Sequence, residues 1–315
     1  EKERIVMSEK ITINLSSSAL KYAGCALAFD RAIIKGYKEK AMPCRMIYGI
    51  AGHEFINTMY QTGGHIPTAR EKARAKFNLP KIDDRRSPHM SDVNHMLAVA
   101  LWTWELCVKK EEEFEILELN GKPATEINFS LPYYEDDYVA INWCGTLDRI
   151  GKIRNGIYII PDWKFTSSYS EKEYFTQYEM KPAPRGYALA LKLMAERFPD
   201  SILGQIGKGA IGTRFDGIFV KPEINKVTFA RSDVKRWDES EINEFRGLLD
   251  DLCKKISHHV KTGYLPKEGL TNSSCEGKWG KCMFWNCCKS PDVIAQMLLK
   301  RDFDIKQFNP LSYND

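Results

Sequence analysis

Two apolar runs, residues 140–150 and 157–165, flank the turn-prone Arg154-Asn155-Gly156, a pattern that predicts a β-hairpin. Side chains alternate along a strand, so Asp162 and Lys164 in the second arm share a face. The register decides where Asp148 of the first arm points. A two-residue loop at Asn155-Gly156 pairs Asp148 with Trp163 and sets the two acids on opposite faces. A three-residue loop, 154–156, with Gly156 left-handed as a bulge residue, sets Asp148 opposite Asp162.

The remaining pattern is mixed. Ser16 to Ser18 are N-cap candidates ahead of a helical stripe through Leu20, Cys25, Leu27 and Phe29. Residues 48–57 read as a helix carrying His53, and residues 91–113 as a long amphipathic helix with Leu97, Leu101, Trp104 and Val108 on one face. The period then changes to that of a strand. Residues 124–131 alternate and include Glu126, and a polar turn at 133–137 leads into the hairpin. Beyond it come a helix at 186–198, strands near 214–220 and 226–230, and a helix at 238–261 with Ile242, Phe245, Leu249, Leu252 and Ile256 inward. The stretch Gly204 to Gly209 lacks Walker spacing and reads as a loop, so no nucleotide-driven motor is expected. The expected division is 1–110, a helical region supplying Cys25 and His53; 111–235, the core; and 236–315, a helix and a cysteine segment packing back on the N-terminus.

At 315 residues the chain can bury one large core or two lobes. A net charge of +4 does not by itself argue for nucleic acid. No apolar run reaches the ~18 residues of a membrane span, and no secretory pattern opens the chain. Nine cysteines without such a signal fit a reducing, cytoplasmic setting better than a disulfide framework. Arg70, Lys72, Arg74, Lys76, Lys81, Arg85 and Arg86 stand against Glu71, Asp83 and Asp84, which suits a solvated face or a phosphate-tracking groove.

Two acids and a lysine at one end of a hairpin suit phosphodiester hydrolysis. Carboxylates hold a hard cation such as Mg²⁺, and an ammonium orients or deprotonates the attacking water. A surface hairpin with solvated charges has the same composition. In the tail, Cys275, Cys282, Cys287 and Cys288 fall within 14 residues, and such thiolate groups serve zinc as readily as iron–sulfur.

Gly145-Thr-Leu-Asp148 followed by Pro161-Asp162-Trp163-Lys164 resembles the PD-(D/E)XK nuclease superfamily, in particular its RecB-like exonuclease branch with an iron–sulfur cluster, which includes stand-alone phage and CRISPR-adaptation nucleases. Gly49-x-x-x-His53 is similar to that branch's histidine helix. The resemblance implies an α/β fold with a central mixed sheet flanked by helices, restriction-endonuclease-like, and a helical iron–sulfur lobe joining both chain ends. It implies Mg²⁺ or Mn²⁺ bound by Asp148, Asp162 and His53, with the Trp163 carbonyl as a further ligand and Glu126 secondary, while Lys164 positions water. Tyr187 matches the tyrosine of a DNA-contacting Q-x-x-x-Y motif; Ala183 stands where the glutamine is expected, leaving Arg185 as its substitute. Cys25, Cys275, Cys282 and Cys288 would hold a [4Fe–4S] cluster, zinc being the alternative, with Cys287 a bystander. Cys44, Cys107, Cys144 and Cys253 are expected reduced and buried. The implied activity is metal-dependent cleavage of DNA, single-stranded or at ends, with a separate helicase or recombination partner. A DNA-binding module without cleavage, or a redox scaffold, uses the same cysteines.

Overall fold

In the computed structural model the strand Tyr158–Thr166, which carries Asp162 and Lys164, lies inside the largest sheet. The structure describes residues 10–82, 87–168, 170–179, 181–269, 274–277 and 280–310. The strand order is Thr228–Arg231, Ile211–Phe219, Tyr158–Thr166, Gly151–Ile153, Phe114–Ile116, with Lys235–Trp237 also pairing to Ile211–Phe219. Tyr158–Thr166 and Ile211–Phe219 run parallel, in register from Tyr158↔Ile211 to Thr166↔Phe219; the other pairs are antiparallel. A parallel pair needs a long crossover, supplied here by helices Glu171–Glu179, Pro182–Arg197 and Ile202–Lys208. Ile211–Phe219 is buried along its whole length, as expected of a strand covered on both faces.

The turn is the three-residue kind. The Ile153 amide donates to the Ile157 carbonyl at 3.0 Å, the Gly156 amide to the Ile153 carbonyl at 2.8 Å, and Gly156 has φ +85°. Gly151↔Ile159 and Lys152↔Tyr158 continue that register, which carried back three residues sets Asp148 across from Asp162. The first arm is interrupted, however. Val139–Arg149 ends at Ile150, whose amide and carbonyl bond to Ala124 and Leu117 instead.

The chain folds as two units, one of residues 41–127 and 146–239, the other of 1–40, 128–145 and 240–315. This division cuts across the expected 1–110, 111–235 and 236–315: the His53 helix, Cys44–Gln61, belongs with the large sheet and not with Cys25. In the first unit that helix shares a core with Ile66–Phe77, Val93–Thr103 and the sheet through Ile47, Phe55, Met59, Phe77, Met96 and Ile218. In the second, Ile11–Leu15 pairs parallel with Val139–Trp143, Trp143 packs edge-on against Phe245 of helix Glu239–Thr262 at 6.0 Å, and both chain ends meet where Tyr37–Glu39 pairs with Phe303–Ile305.

Three local expectations need correction. The stripe after Ser16 is preceded by a strand and is not one helix: a 3-10 turn, Ala19–Tyr22, is separated from Ala26–Phe29 by Cys25 in extended conformation at φ −150°. The 91–113 helix stops being α-helical at Thr103, passes through a π-turn, Trp104–Val108, and gives way to the strand Phe114–Ile116. Gly204 and Gly207 lie in helix Ile202–Lys208, capped by Ser201, rather than in a loop. A Cβ at either would stand 2.0 Å from the Phe198 or Leu191 carbonyl oxygen. Close packing selects these glycines. No described helix is long and apolar enough to cross a membrane.

Gly52 and Gly49 separate packing from pattern. A Cβ on Gly52 would lie 2.6 Å from the Phe165 ring, whereas one on Gly49 meets nothing within 4 Å. The Phe165 ring is already held between Tyr48 and His53, at 6.2 and 6.0 Å. Urea unfolding should show Gly52→Ala destabilised by about 1–3 kcal/mol and Gly49→Ala stabilised by up to ~1 kcal/mol.

Candidate metal centre

Alternation on Tyr158–Thr166 turns Asp162 and Lys164 to one side and Trp163 to the other. The Asp162 side chain is 2% exposed and bonds through Oδ1 to the Lys164 ammonium. Its Oδ2 is buried without a hydrogen-bond partner. Burial raises the Asp162 carboxyl above the usual carboxylate range; Lys164 opposes the rise, and Asp148 adds to it by charge and by hydrogen bonding the protonated form. The two carboxylates therefore converge.

Asp148 is fixed from two sides. Its Oδ2 accepts from the Trp163 amide at 3.0 Å and lies 3.4 Å from His53 Nδ1. Glu126 approaches the same nitrogen at 3.8 Å. His53 Nε2 donates to the Trp163 carbonyl at 2.8 Å, so Nδ1 is the nitrogen that faces the acids. One ligand atom each from His53, Glu126 and Asp148 lie within 4.8 Å of one another, and the three residues are half-buried. The Trp163 carbonyl, expected as a ligand, is engaged by His53. Glu126, secondary in the sequence reading, is a member of the triad. It occupies the left-handed region at φ +49°, which costs a non-glycine residue about 1–2 kcal/mol.

The charges explain the protonation states. Burial alone would lower the His53 pKa, but the Asp148 charge and the Glu126 hydrogen bond push it up to about 9. Burial would likewise lower Lys164, and Asp162 followed by Asp148 raises it above the ordinary lysine value. Lys164 thus stays an ammonium at neutral pH. It can orient and neutralise; it is not a base. Three carboxylates face one lysine and one imidazole, an excess of negative charge that suits a cation. The orphaned Asp162 oxygen and the His53–Glu126–Asp148 donor set fit a divalent metal, and the imidazole favours Mn²⁺ over a pure oxygen site's preference.

Tyr187, on helix Pro182–Arg197, is near enough for Asp162, Asp148, Lys164 and Glu126 to act on its hydroxyl, whose pKa burial and the two aspartates raise. Arg185 has its guanidinium 5.6 Å from the Trp237 ring. Tyr178, not anticipated from sequence, also acts on Lys164; its hydroxyl bonds that of Tyr174 at 2.9 Å. The basic helix Ile66–Phe77 exposes Arg70, Lys72 and Arg74, while Arg85 and Arg86 lie outside the described residues.

In the other unit, Cys25, Cys275, Cys282 and Cys288 line one cavity of about 30 Å³ with Lys21, Tyr22 and Trp285. Burial raises Cys275 and Cys282, and the neighbouring thiols add to the rise. An Arg31 nitrogen lies 3.4 Å from Cys288 Sγ. Cys287 is buried with Phe284 and Leu299 and is absent from that lining. The cysteine tail includes a short helix, Trp285–Lys289, which turns Cys287 and Cys288 to different surroundings. All nine cysteines are free thiols, and Cys44, Cys107, Cys144 and Cys253 are buried.

No family model matches this chain, and no curated protein does.

His53 generates a pH prediction. A folded pKa of about 9, above the ordinary value near 6.5, stabilises the metal-free fold fully below about pH 6.5, and that stabilisation fades as pH rises through 9. A ligating imidazole must be neutral, so a metal displaces the proton. Calorimetry of Mn²⁺ binding at pH 7, repeated in buffers of different ionisation enthalpy, should show about one proton or more released per ion. His53→Gln should release about one fewer. Proton-neutral binding by the native protein would remove His53 from the ligand set.

Proposed function

We propose that the protein is a metal-dependent nuclease that hydrolyses phosphodiester bonds in DNA, acting on single strands or ends. The observation that carries this reading is the buried Asp162 carboxylate, ion-paired to Lys164 through one oxygen and unpartnered at the other, beside a His53–Glu126–Asp148 donor set. A buried orphan carboxylate oxygen is costly unless something charged meets it. The sequence resemblance to the RecB-like PD-(D/E)XK branch, carried by the same Asp148, Asp162, Lys164 and His53, supports the reading, and a mixed sheet is compatible with it.

His53, Asp148, Glu126 and the free oxygen of Asp162 would hold Mg²⁺ or Mn²⁺. When bound, the ion would lower the pKa of a coordinated water and withdraw charge from a phosphate oxygen. Lys164 holds an ammonium against Asp162, where it orients the nucleophile and neutralises charge developing on phosphate. Tyr187 lines the same side and presents a hydroxyl that stays protonated, suited to donating to a phosphate oxygen. The exposed cations of Ile66–Phe77, a helix packed on the His53 helix, offer sequence-independent phosphate contacts.

For the second site we favour a [4Fe–4S] cluster on Cys25, Cys275, Cys282 and Cys288 over zinc. All four line one cavity with Lys21, Tyr22 and Trp285, and the preference for iron over zinc rests on the resemblance to the RecB-like branch, which implies one thiolate per iron from these four positions. Its role is structural, tying positions 25 and 275–288 together.

Two experiments test these readings. End-labelled single- and double-stranded DNA, incubated with Mn²⁺ or Mg²⁺, should be degraded by the native protein. Lys164→Ala should cut the rate by about a hundredfold or more at nearly unchanged DNA affinity. A Lys164→Ala protein that cleaves at the native rate would place the activity elsewhere.

Anaerobically purified protein should be brown and carry about four irons per chain. Cys25→Ser should lose colour and stability together, and Cys287→Ser should keep both. A colourless protein with one zinc on the tail cysteines would reject the cluster and leave the Asp162 site untouched.

A further inference from the structure

The strand register at the metal centre is not held by a backbone ladder. Pairing between the two hairpin arms stops at Gly151↔Ile159, and Ile150 spends its backbone groups on Ala124 and Leu117. Asp148 nevertheless has to sit within bonding distance of the Trp163 amide. At Trp163 the strand's amide and carbonyl turn to an edge where no strand pairs among the described residues; Asp148 accepts from one and His53 donates to the other. Whatever fixes Trp163 therefore fixes both an acid and the imidazole.

One position beyond Asp148, on the reverse side of the strand, is Arg149, whose side chain is fully buried. Its guanidinium carbon lies 4.2 Å from the Trp163 ring and 4.8 Å from the Phe114 ring. Its terminal nitrogens reach the Tyr60 hydroxyl at 3.0 Å, Glu111 at 3.4 Å and Asp216. Asp216 and Glu111 also bind Arg214, at 2.8 and 2.6 Å. Arg149 Nε has no hydrogen-bond partner; a guanidinium that forgoes a bond there does so to lie against the indole. Alternation makes this arrangement follow from the site: Asp148 and Asp162 face one way, and the next residue of each, Arg149 and Trp163, meets its counterpart on the other.

We infer that Arg149 is a positioning residue for the metal centre, setting the separation of Asp148 from Asp162 and His53 by clamping the Trp163 indole from behind. This rests on the reading of that centre as a metal site. The planar fork is essential to it. A lysine keeps the charge that Asp216 and Glu111 need but cannot stack on the ring while bonding both acids.

The test compares Arg149→Lys with Arg214→Lys, which weakens the same buried ion cluster without touching Trp163. Two quantities are read: hydrogen exchange of the Trp163 amide in the metal-free protein, and Mn²⁺ affinity by electron paramagnetic resonance. Arg149→Lys should speed exchange at Trp163 and weaken Mn²⁺ binding, each by roughly tenfold or more, the scale typical of residues that orient metal ligands. Arg214→Lys should leave both within about twofold of native while lowering the melting temperature. Equal effects of the two variants, or none from Arg149→Lys, would overturn the inference. If Arg149→Lys does not fold, Trp163→Leu removes the ring, keeps every ion pair of Arg149, and should weaken Mn²⁺ binding by a similar factor; native-like binding there overturns it equally. A native protein that binds Mn²⁺ but cleaves no DNA would sink the nuclease reading alone. One that binds no Mn²⁺ would sink the metal reading, and the Trp163 exchange rates of the two arginine variants would still decide whether Arg149 holds the clamp.

Discussion

A carboxylate buried inside a sheet is the constraint on which the large-sheet unit depends. Asp162 is excluded from water on a strand whose neighbours are apolar, so its charge must be met locally or its proton kept. Lys164, two residues on, meets half of it. The other oxygen is left bare, and the Asp148 carboxylate beside it makes matters worse. His53 responds by holding a proton well above its ordinary range. Two protonated groups, His53 and Lys164, thus stand against three carboxylates, and the surplus negative charge suits a divalent ion at the His53–Glu126–Asp148 donor set.

The same economy shapes the backbone. Glu126 accepts a left-handed conformation to turn its carboxylate inward, and strain of that kind persists only where surrounding structure over-determines it. Gly52 gives up its side chain so that the His53 helix can press on Phe165. Behind the sheet, Arg149, Arg214, Glu111 and Asp216 form a buried ion cluster. Such a cluster adds little net stability, because desolvation offsets most of the attraction; what it adds is a fixed geometry.

Much of the metal centre was legible in the sequence because it is local. The hairpin and the shared side of Asp162 and Lys164 follow from a period of two, whereas the facing of Asp148 and Asp162 hung on the loop length, which the left-handed Gly156 decides. That Cys25 lies with the tail cysteines was implied by the family resemblance alone, since spacing does not set it apart from the other distant cysteines. The gaps have a common cause. Glu126 was placed second because its left-handed backbone is invisible to a propensity argument. Gly204 and Gly207 looked like a loop because their selection is by a carbonyl from another helix. The division at residues 40 and 127 could not be read because a single strand, Thr125–Glu135, runs from one unit into the other. Arg149 was within reach: the alternation that faced the acids toward each other also faced their successors together.

Donor chemistry keeps the two candidate sites distinct. Oxygen and imidazole at His53, Glu126 and Asp148 select a hard or borderline ion that exchanges ligands readily, which hydrolysis requires. Thiolates at Cys25, Cys275, Cys282 and Cys288 select soft metals and hold them tightly, which a structural tie requires. Each set sits in its own unit, and the two differ in the metals that their donors favour. The thiols also lack the negative surplus that draws a hard cation: burial raises the pKa values of Cys275 and Cys282, which stay neutral until a metal displaces their protons.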